Sequence, residues 1–254
     1  MIDLHCHLLP GVDDGPAEME IALEMCRLAA RDGTTAAFAT PHVRHERWWN
    51  GDRAELEAVW RELTRAAPDG FEIYLGAEIA VRSHLLEEVA QLPGGDLLTL
   101  GGSRYLLLEL HPRGLGPDPG ELIHELVVDG FWPIIAHPER VGWLMADLPL
   151  VEHLVAEGAY LQLTAMSLTG EMGRFAEANA HELLNRGLVH FLSSDAHDLH
   201  IRPPGLRRAF ERVRETHGED LARALVYDHP KAVVEDRSLE SVAVDLAQPV
   251  HHGP

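Results

Sequence analysis

Short apolar runs alternate along this chain with amphipathic stretches, and the alternation predicts its elements. The runs near 2–6, 35–40, 71–77, 105–110, 132–137, 159–164 and 189–194 read as strands. The stretches near 17–32, 53–66, 83–91, 119–130, 148–157, 171–187, 204–216 and 218–227 read as helices. Helical spacing is clearest in Ile21, Leu23, Met25, Leu28 and Ala29. Gly33, Gly130, Gly158 and Gly187 each fall between a helical stretch and the next apolar run. Glycine there is a C-cap, because it takes the left-handed conformation that closes a helix. The regular pattern predicts an α/β fold of seven repeated β/α units, a closed or nearly closed parallel barrel. An open doubly wound sheet is the structural alternative. Residues 1–235 are expected to form one domain. Residues 236–254 lose periodicity and form a C-terminal tail, whose His251 and His252 are set aside.

Composition narrows the partners. The 254-residue length suits one α/β barrel, and 46% hydrophobic residues can fill a sizeable core. The net charge of −20 argues against a general electrostatic grip on nucleic acid. An anionic substrate would need local positive charge from metals and a few arginines, since Lys231 is the only lysine. The two cysteines, Cys6 and Cys26, are expected to be buried and reduced. No apolar run is long enough to span a bilayer, and no signal segment is expected before the first strand. A cytoplasmic enzyme is the resulting expectation.

The chemistry sits where the apolar runs end. His5-Cys6-His7 closes the first run and Asp195-Ala196-His197 the last. Side chains alternate along a strand, so each pair points one way, with Cys6 facing away into packing. Thr40-Pro41-His42, Gly76-Ala77-Glu78, Leu108-Glu109 and Ala136-His137-Pro138-Glu139-Arg140 end the runs between. Barrel active sites form at the C-terminal ends of the strands, so six of the seven predicted strands deliver a ligand-type residue to one rim. The remaining strand ends in Gln162-Leu163-Thr164, suited to supporting a ligand rather than being one. Imidazoles and carboxylates gathered this way suit several divalent metals. Metals around an exchangeable water point to hydrolysis, with phosphate esters a leading substrate class.

The ordered motifs resemble the PHP (polymerase and histidinol phosphatase) superfamily. Within it, the chain is most similar to the bacterial manganese-dependent protein-tyrosine phosphatases of capsular polysaccharide operons. The opening from Met1 to Pro16, Thr40-Pro41-His42, Gly76-Ala77-Glu78-Ile79, Ala136-His137-Pro138-Glu139-Arg140, Ser193-Ser194-Asp195-Ala196-His197 and Arg202-Pro203-Pro204 carry the likeness. The resemblance implies a distorted (β/α)7 barrel of the PHP type holding three divalent ions, manganese first, with iron, zinc or magnesium as alternatives. It implies that His5, His7, Glu78 and Asp195 hold the first ion. Glu78, Glu109 and His137 would hold the second, and Asp14, His42 and His197 the third. Asp14 enters only through the resemblance, which leaves Asp13 to shape the turn between Gly11 and Gly15. His111, after Glu109, and the paired Trp48 and Trp49 depart from the family pattern.

The resemblance implies hydrolysis of phosphotyrosine on proteins by a metal-bridging hydroxide, with Arg140 and Arg202 completing the phosphate cradle. A tyrosine kinase of polysaccharide synthesis is the expected source of substrate. No Cys-x5-Arg loop exists, so the cysteine-dependent phosphatase chemistry is excluded. Three other readings compete. They are a small-molecule phosphatase such as one for histidinol phosphate, a nuclease, which the charge disfavours, and a non-catalytic metal scaffold.

Overall fold

The computed structural model describes residues 1–92 and 94–241. Nine parallel strands appear among them: β1 (Ile2–Cys6), β2 (Ala36–Ala39), β3 (His42–Val43), β4 (Glu72–Leu75), β5 (Glu78–Ala80), β6 (Tyr105–Glu109), β7 (Trp132–Ala136), β8 (Tyr160–Thr164) and β9 (Phe191–Ser193). They divide into two sheets, β1-β2-β4 and β3-β5-β6-β7-β8-β9. The α/β class and parallel strands of the expected closed or nearly closed barrel are present, but no closed barrel is found: among the described residues no single ladder runs round the molecule. The larger sheet follows chain order without reversal, which also removes the doubly wound alternative.

The division has a local cause. The short strands β3 and β5 lie beyond the second and third expected runs, set off from β2 and β4 at Thr40-Pro41 and at Gly76-Ala77. Pro41 has no N–H to give a ladder. A Cβ on Gly76 would lie 2.7 Å from Leu100 Cδ2, so a side chain there would have to displace the Leu100 side chain. Single hydrogen bonds bridge the breaks, Gly76 N to Ala39 O at 2.9 Å and Glu78 N to Pro41 O at 3.0 Å. The first strand meets the last segment of the sheet just beyond the end of β9. Asp195 N donates to His5 O and His7 N to Ala196 O, both at 2.8 Å, around a lone Cys6–Ala196 bridge.

Helices cover the sheets: α1 (Met19–Asp32), α2 (Arg53–Ala66), α3 (Leu85–Val89), α4 (Pro119–Val128), α5 (Gly142–Met145), α6 (Leu148–Ala156), α7 (Ala165–Leu168), α8 (Arg174–Asn185), α9 (Arg207–His217), α10 (Glu219–Arg223) and α11 (His229–Val234). Three of them, α2, α4 and α6, start at capping aspartates, Asp52, Asp118 and Asp147, which accept from N–H groups of the first turn. Gly33, Gly130, Gly158 and Gly187 all have positive φ, as helix-ending glycines should. Cys6 and Cys26 are buried and unpaired.

Two apolar layers flank the strands. Leu106, Leu108, Ile135, Leu161, Leu163 and Leu192 face the helices in one cluster. Leu4, Phe38, Leu107, Ile134 and Phe191 form a second, closed from below by Ala232 and Val233 of α11. Upward from that plug, the same period-two positions turn polar: Phe38 leads to His42, Leu107 to Glu109, and Phe191 to Asp195. The apolar plug thus forms the floor on which the polar cluster stands.

Residues 236–241, the described part of the expected tail, are docked on this body. Arg104 N donates to Asp236 Oδ1 at 2.8 Å, Tyr105 Oη donates to Arg237 O at 2.7 Å, and Leu239 is buried. His251 and His252 lie outside the described residues.

Candidate active site

Every residue expected to bind metal comes to one place. The ligand atoms form four overlapping sets, each within 4.8 Å: His7-Asp14-His42-His197, His5-Glu78-His137, His5-His7-Asp195 and His42-Glu78-Glu109. Glu78 stands at the centre. Its Oε1 is 2.7 Å from His137 Nε2, and its Oε2 is 2.9 Å from His42 Nδ1 and 3.4 Å from Nε2 of both His5 and His7. Asp195 Oδ1 approaches His5 Nε2 at 3.3 Å. Asp14 Oδ1 lies 3.3 Å from His197 Nε2 and 3.5 Å from His42 Nε2. Glu109 neighbours His42, at 3.6 Å, rather than standing in one set with His137 as the family allocation implied.

Local backbone aims these groups. His137 and Asp195 have φ of 35° and 52°, left-handed values that non-glycine residues rarely adopt. Such strain persists where surrounding structure enforces it and is frequent at functional sites. Ala136 belongs to the apolar plug and His137 follows it directly, so a regular strand would turn His137 away from the site. The left-handed residue corrects the phase. The same problem at Leu4 and His5 is met by a register irregularity in β1 between Asp3 and Cys6.

Supporting contacts fix the imidazoles. His5 Nδ1 is 2.9 Å from Gln162 Oε1, the supporting role expected of that strand end. Asp13 does more than shape a turn. Its Oδ1 accepts from Gly15 N at 2.9 Å, while its Oδ2 accepts from His7 Nδ1 at 2.7 Å and His42 N at 2.9 Å. Sequence reasoning missed this second role, and nothing in the spacing signals it, because the His7 contact depends on how the 8–15 loop returns. Asn50 Nδ2 donates to His42 O at 2.6 Å. Trp48 stacks on the His42 ring, with centroids 5.3 Å apart and planes 9° apart, and His45 stacks on both.

Electrostatically the cluster is short of positive charge. Burial raises the Glu109 carboxyl to about 7, helped by the charge of Glu78. Burial works against charge on Asp14 too, but the hydrogen bond and charge of His197 bring it down to about 2. Burial likewise opposes charge on His7, yet the Asp13 carboxylate holds that imidazole well above its ordinary range. Arg140 Nη1 and Arg202 Nη2 both donate to Asp195 Oδ2 at 2.5 Å. The two arginines expected to hold phosphate thus share one carboxylate oxygen at the edge of the cluster.

The donors fit divalent ions. Nitrogen and carboxylate ligands without thiolate suit manganese, iron or zinc. His42 Nδ1, Glu78 Oε2, His137 Nδ1 and His197 Nε2 are buried with no hydrogen-bond partner. Buried polar atoms are ordinarily satisfied, and a shared cation would satisfy these lone pairs together. The cluster opens into a cavity of about 680 Å³, bordered by Trp48, Trp49, His45, His111 and both arginines. His200 is not among its lining residues. His111 is turned partly to its own loop, where its Nδ1 accepts from Arg113 N at 3.1 Å.

A sequence profile described as capsular polysaccharide synthesis, CpsB/CapC, matches residues 1–235. The chain belongs to the CpsB/CapC family. It is 32% identical over 223 residues to the tyrosine-protein phosphatase YwqE of Bacillus subtilis, covering 87% of each chain. It is 29% identical over 244 residues to the tyrosine-protein phosphatase CpsB of Streptococcus pneumoniae, covering 93% of this chain and 99% of that one. Among solved structures it is similar to the metal-dependent tyrosine phosphatases YwqE and CpsB, with a TM-score of 0.86 and 29% identity over 94% of this chain and 96% of the other. A fold likeness extends to the phosphotriesterase homology protein of Escherichia coli, at TM-score 0.59 and 13% identity, covering 92% and 98% of the two chains.

Proposed function

We propose that this chain is a metal-dependent phosphomonoester hydrolase acting on phosphotyrosine in proteins. The observation that carries the reading is the convergence of nine imidazole and carboxylate residues in one cluster, six of which line one cavity together with two arginines. Family membership and the phosphatase relatives support the same reading. His5, His7, Asp14, His42, Glu78, Glu109, His137, Asp195 and His197 would together hold three divalent ions, manganese by preference. Such ions neutralise a phosphate dianion and make water acidic enough to react at neutral pH.

The chain's own groups do the rest. Arg140 and Arg202 offer planar, paired donors that match phosphate oxygens, and they stand beside the cluster already oriented by Asp195. Gln162 and Asp13 hold His5 and His7 in fixed orientations, so the ligand set costs little reorganisation when charge develops. The tyrosine phenolate has a pKa of about 10, so it departs with less protonation than a serine alkoxide needs. The cavity mouth is wide and partly aromatic, as a side chain presented on a peptide requires. A tyrosine kinase of polysaccharide synthesis supplies the phosphoprotein in this reading, and the cytoplasm is where the two meet. Among the described residues no helix is long and apolar enough to cross a membrane.

The test is a comparison of manganese-loaded enzyme on phosphotyrosine peptides, phosphoserine peptides and histidinol phosphate. The proposal expects the phosphotyrosine peptides to have the highest kcat/KM. A marked preference for histidinol phosphate over all phosphotyrosine peptides would overturn it.

A further inference from the structure

We infer that the open lip of the catalytic cavity, through Arg47, Arg82 and Arg113, selects phosphotyrosines that have acidic side chains beside them in the peptide. The inference rests on the phosphatase reading and names the class of sequence that the same site takes.

The first observation is a charge imbalance in one place. The chain carries 41 acidic residues against 21 basic ones, so a carboxylate partner is easy for any cation to find. Arg44, Arg140 and Arg202, which lie around the cavity, have such partners. Arg47, Arg82 and Arg113 line the same cavity, and none of them pairs with a carboxylate among the described residues. Three uncompensated guanidinium groups at one mouth run against the field of a chain with net charge −20.

The second observation is preparation. Trp49 is 57% exposed, unusual for so large an aromatic. The Arg44 guanidinium lies 4.8 Å from its ring centroid and that of Arg82 5.9 Å. Arg44 is anchored by its bond to Glu88 Oε2 at 2.6 Å. Arg82 therefore rests against an indole held by its neighbour, while its charge stays unpaired. A guanidinium so placed gives up less side-chain freedom when a carboxylate arrives. Glu46 and Glu88 also line the mouth, but Glu88 is occupied by Arg44.

Geometry decides which part of a substrate meets the lip. A phosphotyrosine whose phosphate reaches the metal cluster leaves its backbone and flanking residues at the mouth. A small phosphate ester would occupy the floor and leave the lip untouched. Acidic flanks would otherwise be repelled by the whole protein, and the three arginines reverse that repulsion locally, which favours encounter and correct orientation.

The experiment compares two phosphotyrosine peptides that differ only in Asp and Glu flanks against Asn and Gln flanks. It uses the manganese-loaded enzyme at low and at about 0.5 M salt, with p-nitrophenyl phosphate as the reference substrate. Wild-type enzyme is expected to favour the acidic peptide by about tenfold in kcat/KM at low salt, most of it lost at high salt. The triple variant Arg47→Gln/Arg82→Gln/Arg113→Gln should show a ratio near one. Arg82→Lys should retain part of the preference. Fluorescence anisotropy with the same peptides, read without turnover, should give the same order of affinities. Equal kcat/KM and equal binding for the two peptides would overturn the inference and leave the phosphatase reading standing. If neither peptide were hydrolysed, the phosphatase reading would fall, and the binding arm would still decide whether the lip reads acidic chains.

Discussion

His7 Nδ1 donates to Asp13 Oδ2 at 2.7 Å, and the same oxygen accepts from the backbone N–H of His42 at 2.9 Å. One carboxylate thus ties the histidine that follows β1 to the histidine that opens β3. The bond to Nδ1 leaves Nε2 of His7 free to face Glu78 and Asp195. We predict that Asp13→Ala weakens metal binding by about 10–100-fold, the usual effect of removing a ligand's supporting partner. Isothermal titration with manganese measures it. Unchanged affinity would reduce Asp13 to a turn residue.

Glu78 touches four imidazoles, so its loss should reach furthest. Glu78→Ala should lower kcat on an aryl phosphate by more than about 100-fold, beyond what removing a supporting group does. Cys6→Ser and Cys26→Ser should leave turnover within about threefold, since both thiols are buried away from the cavity. Loss of turnover in a folded cysteine variant would contradict metal-dependent hydrolysis.

Trp48 and Trp49 have separate surroundings and should separate kinetically. Trp48 lies flat on His42, whereas Trp49 stands exposed between Arg44 and Arg82. Trp48→Ala should lower kcat for all substrates by loosening His42. Trp49→Ala should raise KM for phosphotyrosine peptides and change small aryl phosphates less. Identical effects of the two substitutions on both substrate types would contradict this division.

Stability should depend on pH through His190. Burial and the charge of His229 lower its pKa to about 4, and its Nδ1 accepts from Leu161 N at 3.2 Å, a role open only to the neutral ring. In the unfolded chain the ring takes a proton near pH 6.5. The unfolded state therefore binds more protons between pH 6.5 and 4, and stability falls as pH falls through that window. At pH 5 the loss should be about 2 kcal/mol relative to pH 7.5, and His190→Gln should remove that component. Urea titrations of both proteins at the two pH values read the difference. Equal pH sensitivity in variant and wild type would contradict it.

The site was legible because parallel β/α units place strand ends at one rim. Ligand-type residues that close apolar runs, such as His42, Glu109 and Asp195, meet there whatever the sheet's detailed closure. The closure itself was not legible. The short strands β3 and β5 were not read, because Thr40-Pro41 and Gly76-Ala77 set them off from the apolar runs before them. The left-handed turns at His137 and Asp195 leave no mark on hydrophobic periodicity. The Arg44–Trp49–Arg82 stack joins two loops far apart in sequence, so no local pattern announces it. His229–Val234 forms a helix beyond the expected last one, because Pro230 at its start allows helix while breaking the pattern before it.

The central proposal is that nine imidazole and carboxylate residues hold several metal ions together. The most direct measurement is the metal-to-protein ratio by inductively coupled plasma mass spectrometry, after gentle purification and again after reconstitution with manganese. About three divalent ions per chain are expected, with phosphotyrosine hydrolysis lost on chelation and restored on reloading. A ratio of no more than one after reconstitution, or full activity in metal-free protein, would contradict it.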